Sequence, residues 1–89
     1  MDAVPIVRNR TELREAFEDL GIDEYSYSLD GSGQNESYCL ERSSGGWAVF
    51  YSERGNRNDE QWYPAEAQAC RRLLEWVISD PTTRRRSPS

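Results

Sequence analysis

The sequence lacks both histidine and lysine, and it contains only two cysteines among its 89 residues. Without histidine and with two cysteines, the chain has no ligand set for an ordinary zinc site, and base-assisted acyl transfer has no evident catalytic pair. The absence of lysine excludes a phosphate-binding loop of the GxxxxGK[ST] type. Asp30 and the glycines after it lack the ligand spacing of a calcium loop. We therefore expect no metal, no cofactor and no enzymatic activity.

Long apolar runs are also missing, and none approaches the roughly 20 residues that cross a bilayer. The first five residues have neither the basic start nor the apolar run of a signal peptide. We therefore expect a cytoplasmic protein without membrane association. In a reducing cytoplasm Cys39 and Cys70 are expected as packed thiols, although a disulfide between a strand and a helix is geometrically open.

Negative charge is abundant, with sixteen Asp and Glu against eleven basic residues, all arginine, for a net charge of −5. Three of those arginines are Arg84, Arg85 and Arg86, so the chain up to Asp80 carries 8 arginines against 16 acids, or −8. Such a body repels nucleic acid and anionic lipid and favours a basic protein partner. Acidity that serves only solubility is the alternative.

The central stretch, residues 36–53, predicts one β-hairpin, because two runs rich in aromatic and β-branched residues flank Ser43-Ser44-Gly45-Gly46. A loop of two or of four residues gives the same alternation of faces. The more apolar face, which we expect helices to cover, carries Tyr38, Leu40, Arg42, Trp47, Val49 and Tyr51. The other face carries Cys39, Glu41, Ala48, Phe50 and Ser52.

Helical periodicity appears on both sides of this hairpin. An N-cap at Asn9 or Thr11 and a terminating glycine, Gly21, bound a first helix. Its apolar side consists of Leu13, Ala16, Phe17 and Leu20. Pro64 suits the first turn of a second helix over residues 65–79. The apolar stripe of that helix consists of Ala67, Cys70, Leu73, Leu74, Val77 and Ile78.

The remaining segments complete an α+β fold. Alternation predicts a strand at residues 25–29 with Tyr25, Tyr27 and Leu29 pointing inward, and residues 60–63 predict a short edge strand after a polar turn. We expect a three- or four-stranded antiparallel meander with both helices packed on one face. The single domain spans residues 9–80, between an N-terminal arm at 1–8 and a disordered basic tail at 81–89.

Two groups of residues are candidates for binding a protein partner. The acidic group, which is also interpretable as a solvated surface, consists of Asp19, Asp23, Glu24, Asp30 and Glu36. The aromatic group consists of Phe50, Trp62 and Tyr63. A role for Phe50 depends on whether its face of the sheet is exposed, and Trp47 is expected in the core. Edge strands leave both a monomer and a homodimer open.

The order helix–strand–strand–strand–helix over residues 9–78 resembles double-stranded-RNA-binding domains. In those domains the second helix starts with a lysine-rich segment, whereas here it reads Pro64-Ala65-Glu66-Ala67-Gln68. Because phosphate neutralisation dominates such binding, this replacement removes its main attraction. The resemblance therefore implies a shared topology without RNA binding.

The pattern YCLER…GGWAVFYSERG, followed by W-Y-x-x-E-A-x-A-C-x-x-L-L, resembles small actinobacterial immunity proteins of polymorphic toxin systems. The similarity covers most of residues 25–77. It implies a cytoplasmic protein that binds and occludes a toxin domain, and it transfers no particular functional residue. The alternatives are a general protein–protein module of a bacterial regulatory complex, and a small enzyme or nucleic-acid-binding protein that uses the sheet face.

Overall fold

The computed structural model describes residues 6–30 and 36–84. Two helices and four strands form an α+β fold in the order α-β-β-β-β-α, as predicted. The elements are α1 (Arg10–Asp19), β1 (Tyr27–Ser28), β2 (Ser37–Ser43), β3 (Gly46–Glu53), β4 (Asn56–Tyr63) and α2 (Glu66–Ile78). Two short 3₁₀ helices, Glu24–Ser26 and Pro81–Thr83, precede β1 and follow α2.

The boundaries of α1 follow from local chemistry. The side chain of Asn9 accepts a hydrogen bond from the Glu12 amide, so Asn9 is the N-cap. Gly21 has a φ of 73°, which a residue without a side chain adopts at little cost. The Ile22 amide donates to the Phe17 carbonyl at 2.9 Å and completes a Schellman termination. The predicted start and end of this helix are confirmed.

The central hairpin closes through a two-residue turn, Ser44-Gly45, with φ values of 47° and 78°. Two positive φ values match the twist of the flanking strands. Ser43 pairs with Gly46 and Arg42 pairs with Trp47. The pairing of Arg42 with Trp47 is the register expected from the four-residue alternative, Ser43 to Gly46. Both predicted faces are confirmed, since one face packs into the helix-covered core and the other carries a separate small cluster.

The fourth strand is longer than predicted. Residues 56–59, which were expected in a turn, belong to β4, and the reversal occupies only Arg54-Gly55. A second turn with both φ values positive lets β4 continue antiparallel to β3. One β-bulge interrupts the pairing, because Asp59 and Glu60 together face Phe50.

The predicted strand at residues 25–29 is wrong over most of its length. The Asp23 side chain accepts a hydrogen bond from the Tyr25 amide at 2.9 Å and caps a 3₁₀ helix there. Tyr25 is 68% exposed instead of inward, whereas Leu29 is buried as predicted. Only Tyr27 and Ser28 join the sheet, and they pair parallel to β2, so the meander is not antiparallel throughout. The sheet order is β1-β2-β3-β4.

The core lies between one face of this sheet and both helices, as predicted. In α2, Ala69 is buried and Ala67 is only half-buried, so Ala69 replaces Ala67 in the predicted apolar stripe. Pro64 precedes the capping residue, Ala65, instead of lying in the first turn. The largest fully buried side chains of the core are Phe17, Leu13, Ile22, Leu40, Leu73, Leu74, Val49 and Val77.

The ordered domain extends beyond the predicted limits of 9 and 80. Val7 is buried in the core, and Thr83 is buried behind the end of α2. Residues 1–5 of the predicted arm at 1–8, most of the loop at 30–35, and residues 85–89 of the predicted tail at 81–89 lie outside the described residues. Neither described helix has the length and apolar character needed to span a bilayer.

Candidate protein-binding groove

A groove of about 630 Å³ opens between α1 and the segment that leads into β1. It is defined here as the acidic groove, and the charged groups that line it are Glu18, Asp23, Glu24, Asp30 and Arg14. Four carboxylates and one guanidinium give these side chains a net charge of −3. Three of the five predicted acidic residues, Asp23, Glu24 and Asp30, therefore share one concave surface.

Two local structures bring these groups together. Arg14 and Glu18 are four residues apart on α1, so they lie on one side of the helix, one turn from each other. Asp23 and Glu24 begin the 3₁₀ helix that follows the glycine termination of α1. The sharp reversal at Gly21 therefore turns Asp23 and Glu24 back towards Glu18.

The floor of the acidic groove is fixed by packing. The rings of Phe17 and Tyr27 have their centroids 4.4 Å apart, and this contact attaches β1 to α1. The hydroxyl of Ser28 donates to Asp30 Oδ1 at 2.9 Å, which orients that carboxylate. The guanidinium of Arg10 donates to the Leu29 carbonyl at 3.3 Å. A ligand therefore meets a surface whose base is already ordered.

Tyr25 lines the groove and exposes most of its ring. An exposed tyrosine offers a large contact area at a small cost in conformational entropy, and its hydroxyl provides a polar contact. Within residues 6–30 and 36–84, no group of three or more His, Cys, Asp or Glu side chains is arranged to hold a metal ion. The arrangement therefore provides an acidic surface with an aromatic contact for a cationic ligand.

Asp19 and Glu36 are exposed but do not line the groove. Asp19 is the last residue of α1, and Glu36 stands immediately before β2 with a φ of 60°. The structure therefore does not group these two predicted residues with the other three acids.

Trp62 and Tyr63 lie at the opposite edge of the sheet. The groove borders β1 and these aromatic residues belong to β4, so three interstrand spacings, about 14 Å in total, separate the two strands. Trp62 is 51% exposed, and its indole N–H donates to the Ser43 carbonyl at 3.0 Å. Tyr63 is half-buried against the core, with its hydroxyl donating to Gln61 at 2.6 Å. One partner surface would have to span the sheet to reach both groups.

Phe50 lies on the uncovered face of the sheet, yet it is only 3% exposed. The Arg57 guanidinium lies 4.2 Å from the centre of its ring. Arg57 also forms ion pairs with Glu41 at 2.7 Å and with Glu60 at 3.0 Å. The exposure on which a binding role for Phe50 depended is therefore not met.

Both cysteines are free and buried, as predicted, so the disulfide alternative is wrong for this structure. Cys70 belongs to the main core, whereas Cys39 belongs to the small cluster on the other face. Burial raises the pKa of the Cys70 thiol to about 12 and also raises that of Cys39. Neither thiol has the lowered pKa of a reactive cysteine.

Sequence reasoning missed Arg14 and Glu18 as groove residues. Their positions on the polar side of α1 were readable from the helical period. The 3₁₀ helix decides which segment faces the polar side of α1. Its capping residue, Asp23, was not recognised as a turn signal in the sequence.

No protein-family model, curated protein or solved structure matches this chain. The two resemblances given above therefore stay predictions.

Proposed function

We propose that this chain is a non-enzymatic cytoplasmic protein that binds a basic surface of a protein partner through the acidic groove. The partner is a toxin domain, which the chain occludes as an immunity protein does. The observation that carries the proposal is the convergence of Glu18, Asp23 and Glu24 beside the exposed ring of Tyr25. The immunity role itself follows from the sequence resemblance.

Charge supports fast association with such a partner. Four carboxylates around one concave surface focus a negative potential, and steered encounters reach rate constants of about 10⁸ M⁻¹s⁻¹ at low salt. The same potential repels phosphate groups of nucleic acids and anionic lipids. A protein surface rich in arginine or lysine is therefore the fitting partner.

Affinity would come from Tyr25 together with charge-assisted hydrogen bonds. Buried tyrosines and paired guanidinium–carboxylate contacts are frequent among the few residues that dominate binding energy. The packed pair Phe17–Tyr27 beneath the acids lowers the entropy cost, because the floor of the groove is ordered before binding.

We propose a monomer. Of the two predicted edge strands, β1 has only two residues, which is too short to template stable pairing. The outer strand β4 carries the bulge at Asp59, where φ is 55°, and a second acid follows at Glu60. A bulge with adjacent like charges opposes pairing with the same strand of another copy.

The test compares two double variants with the same change of charge. Glu18→Gln with Glu24→Gln removes two groove carboxylates, whereas Glu15→Gln with Glu53→Gln removes two exposed carboxylates outside the groove. We expect a toxin gene directly beside the gene of this protein, and the probe is the toxin domain encoded there, measured by stopped-flow association at low and high salt. We expect the groove variant to slow association about tenfold at low salt and the control variant less than about threefold.

Co-expression of the two proteins in a bacterial host tests occlusion directly. Cells that express the toxin should grow when they also express the native protein or the control variant. They should not grow with the groove variant. Equal effects of the two double variants would contradict the groove as the binding surface. Binding without protection of growth would contradict the immunity role.

A further inference from the structure

The segment that carries Asp23 and Glu24 is not part of a strand of the sheet. Residues 23–25, defined here as the groove wall, precede β1, which begins only at Tyr27. Their backbone is held instead by the chain that follows α2. The Asp23 amide donates to the Thr83 carbonyl at 2.7 Å, and the Ser26 hydroxyl lies 3.4 Å from the same oxygen. The neighbouring residues Ile22, before Asp23, and Arg84, after Thr83, form an isolated antiparallel bridge.

Thr83 is itself fixed by the end of α2. It is 3% exposed, and its hydroxyl lies 2.8 Å from the Asp80 carbonyl and 3.1 Å from the Val77 carbonyl. Asp80 caps the short 3₁₀ helix that ends at Thr83, and Tyr38 on β2 donates to the Asp80 carboxylate at 2.9 Å. A continuous set of hydrogen bonds therefore runs from the sheet and α2 through Thr83 to the groove wall.

We propose that Thr83 is a positioning residue for the acidic groove. Its hydroxyl attaches residues 80–84 to the end of α2, and its carbonyl holds Asp23 in place, so Asp23 and Glu24 line the same groove as Glu18. For its consequence on binding, this inference rests on the proposed function. Its structural part stands on the hydrogen bonds of Thr83 alone.

Residue-resolved amide hydrogen exchange tests the structural part without any partner. Thr83→Val keeps the shape of the side chain and removes the hydroxyl, whereas Thr83→Ser keeps the hydroxyl. We expect exchange of the Asp23 amide to accelerate at least about tenfold in the valine variant and to stay near the native rate in the serine variant. The amide of Leu40, in the central strand β2, is the internal reference, since loss of global stability alone would accelerate both amides.

A milder variant covers the case in which Thr83→Val does not fold. Ser26→Ala removes only the second contact with the Thr83 carbonyl, at a half-buried position. We expect a smaller acceleration at Asp23, about threefold, with Leu40 unchanged. An Asp23 amide that exchanges at the native rate in both variants, or that changes only in parallel with Leu40, would overturn the positioning role.

Binding of the toxin domain adds the functional readout. We expect Thr83→Val to raise the dissociation rate constant several-fold with little change in the association rate constant, because the charges remain while their geometry loosens. Thr83→Ser should restore the native dissociation rate. If the native protein does not bind the toxin domain, the proposed function fails while the exchange result still decides the role of Thr83. If it binds and the valine variant dissociates at the native rate, the link between Thr83 and the groove is wrong.

Discussion

The indole ring of Trp62 lies directly over the backbone of Gly46 on the neighbouring strand. A Cβ added at Gly46 would overlap Cζ2 of Trp62 and would lie 2.6 Å from the Tyr63 carbonyl oxygen. The indole N–H also donates to the Ser43 carbonyl at 3.0 Å. Trp62, which the sequence marked as a binding candidate, therefore also packs on the first residue of β3 and covers the adjacent turn.

Gly46→Ala should destabilise the protein, although the same change often stabilises at permissive positions by about 0.4–1 kcal/mol through the unfolded state. Here the added methyl meets a backbone carbonyl that a rotamer change cannot move. We expect the free energy of unfolding in urea to fall by about 1–3 kcal/mol. In a Trp62→Ala background the change Gly46→Ala should cost less than in the native protein. Part of its cost should persist, because the Tyr63 carbonyl remains. A Gly46→Ala protein as stable as the native one would contradict the close packing.

Arg57→Ala should cost about 1–2 kcal/mol of unfolding free energy, chiefly because it uncovers the ring of Phe50. The ion pairs with Glu41 and Glu60 are partly exposed and contribute little by themselves. We therefore expect 1 M salt to leave most of the stabilisation by Arg57 in place. Arg57→Lys should lose much of that stabilisation, because an ammonium does not stack on a ring as a guanidinium does. Arg54→Ala, in an exposed turn, is the control and should change stability by less than about 0.5 kcal/mol. Equal losses in the two alanine variants would contradict this role of Arg57.

Asp80 links acid stability to the contacts around Thr83. Hydrogen bonds, chiefly from the Thr82 side chain, hold the pKa of Asp80 below its ordinary value. A lowered folded-state pKa adds stability that is present above the ordinary pKa and is lost as the pH falls through the folded-state pKa. The loss therefore begins as the pH falls below about 4.

Asp80→Ala should lower the free energy of unfolding at pH 7 by about 1–2 kcal/mol, through loss of the 3₁₀ cap and of the Tyr38 contact. The variant should also lose less stability than the native protein between pH 5 and about pH 2. Urea unfolding across this pH range measures both effects, and Asp19→Ala at an exposed position is the control. Parallel pH profiles for the native and Asp80→Ala proteins would contradict the contribution of Asp80.

Local chemistry was sufficient to predict much of the fold. Asn9 and Gly21 bound α1 because capping and positive φ depend on a few adjacent residues. The alternating residues of the hairpin predicted which face lies against the helices, since the period of a strand is independent of its partners. The acidic character of the chain also followed from its composition alone.

Contacts between distant segments decided the remainder. The pattern Tyr25-Ser26-Tyr27-Ser28-Leu29 suits a strand, yet Asp23 caps a 3₁₀ helix there, and Thr83, 60 positions later, holds that segment by its backbone. The order of the strands separates Trp62 from the acidic residues by placing β4 and β1 at opposite edges. Sequence patterns determine which side chains share a face of one element, because that follows from backbone geometry. Only tertiary packing decides which elements become neighbours. It is this choice that brings α1 and residues 23–30 together around one groove, with the Asp23 backbone held by the chain after α2.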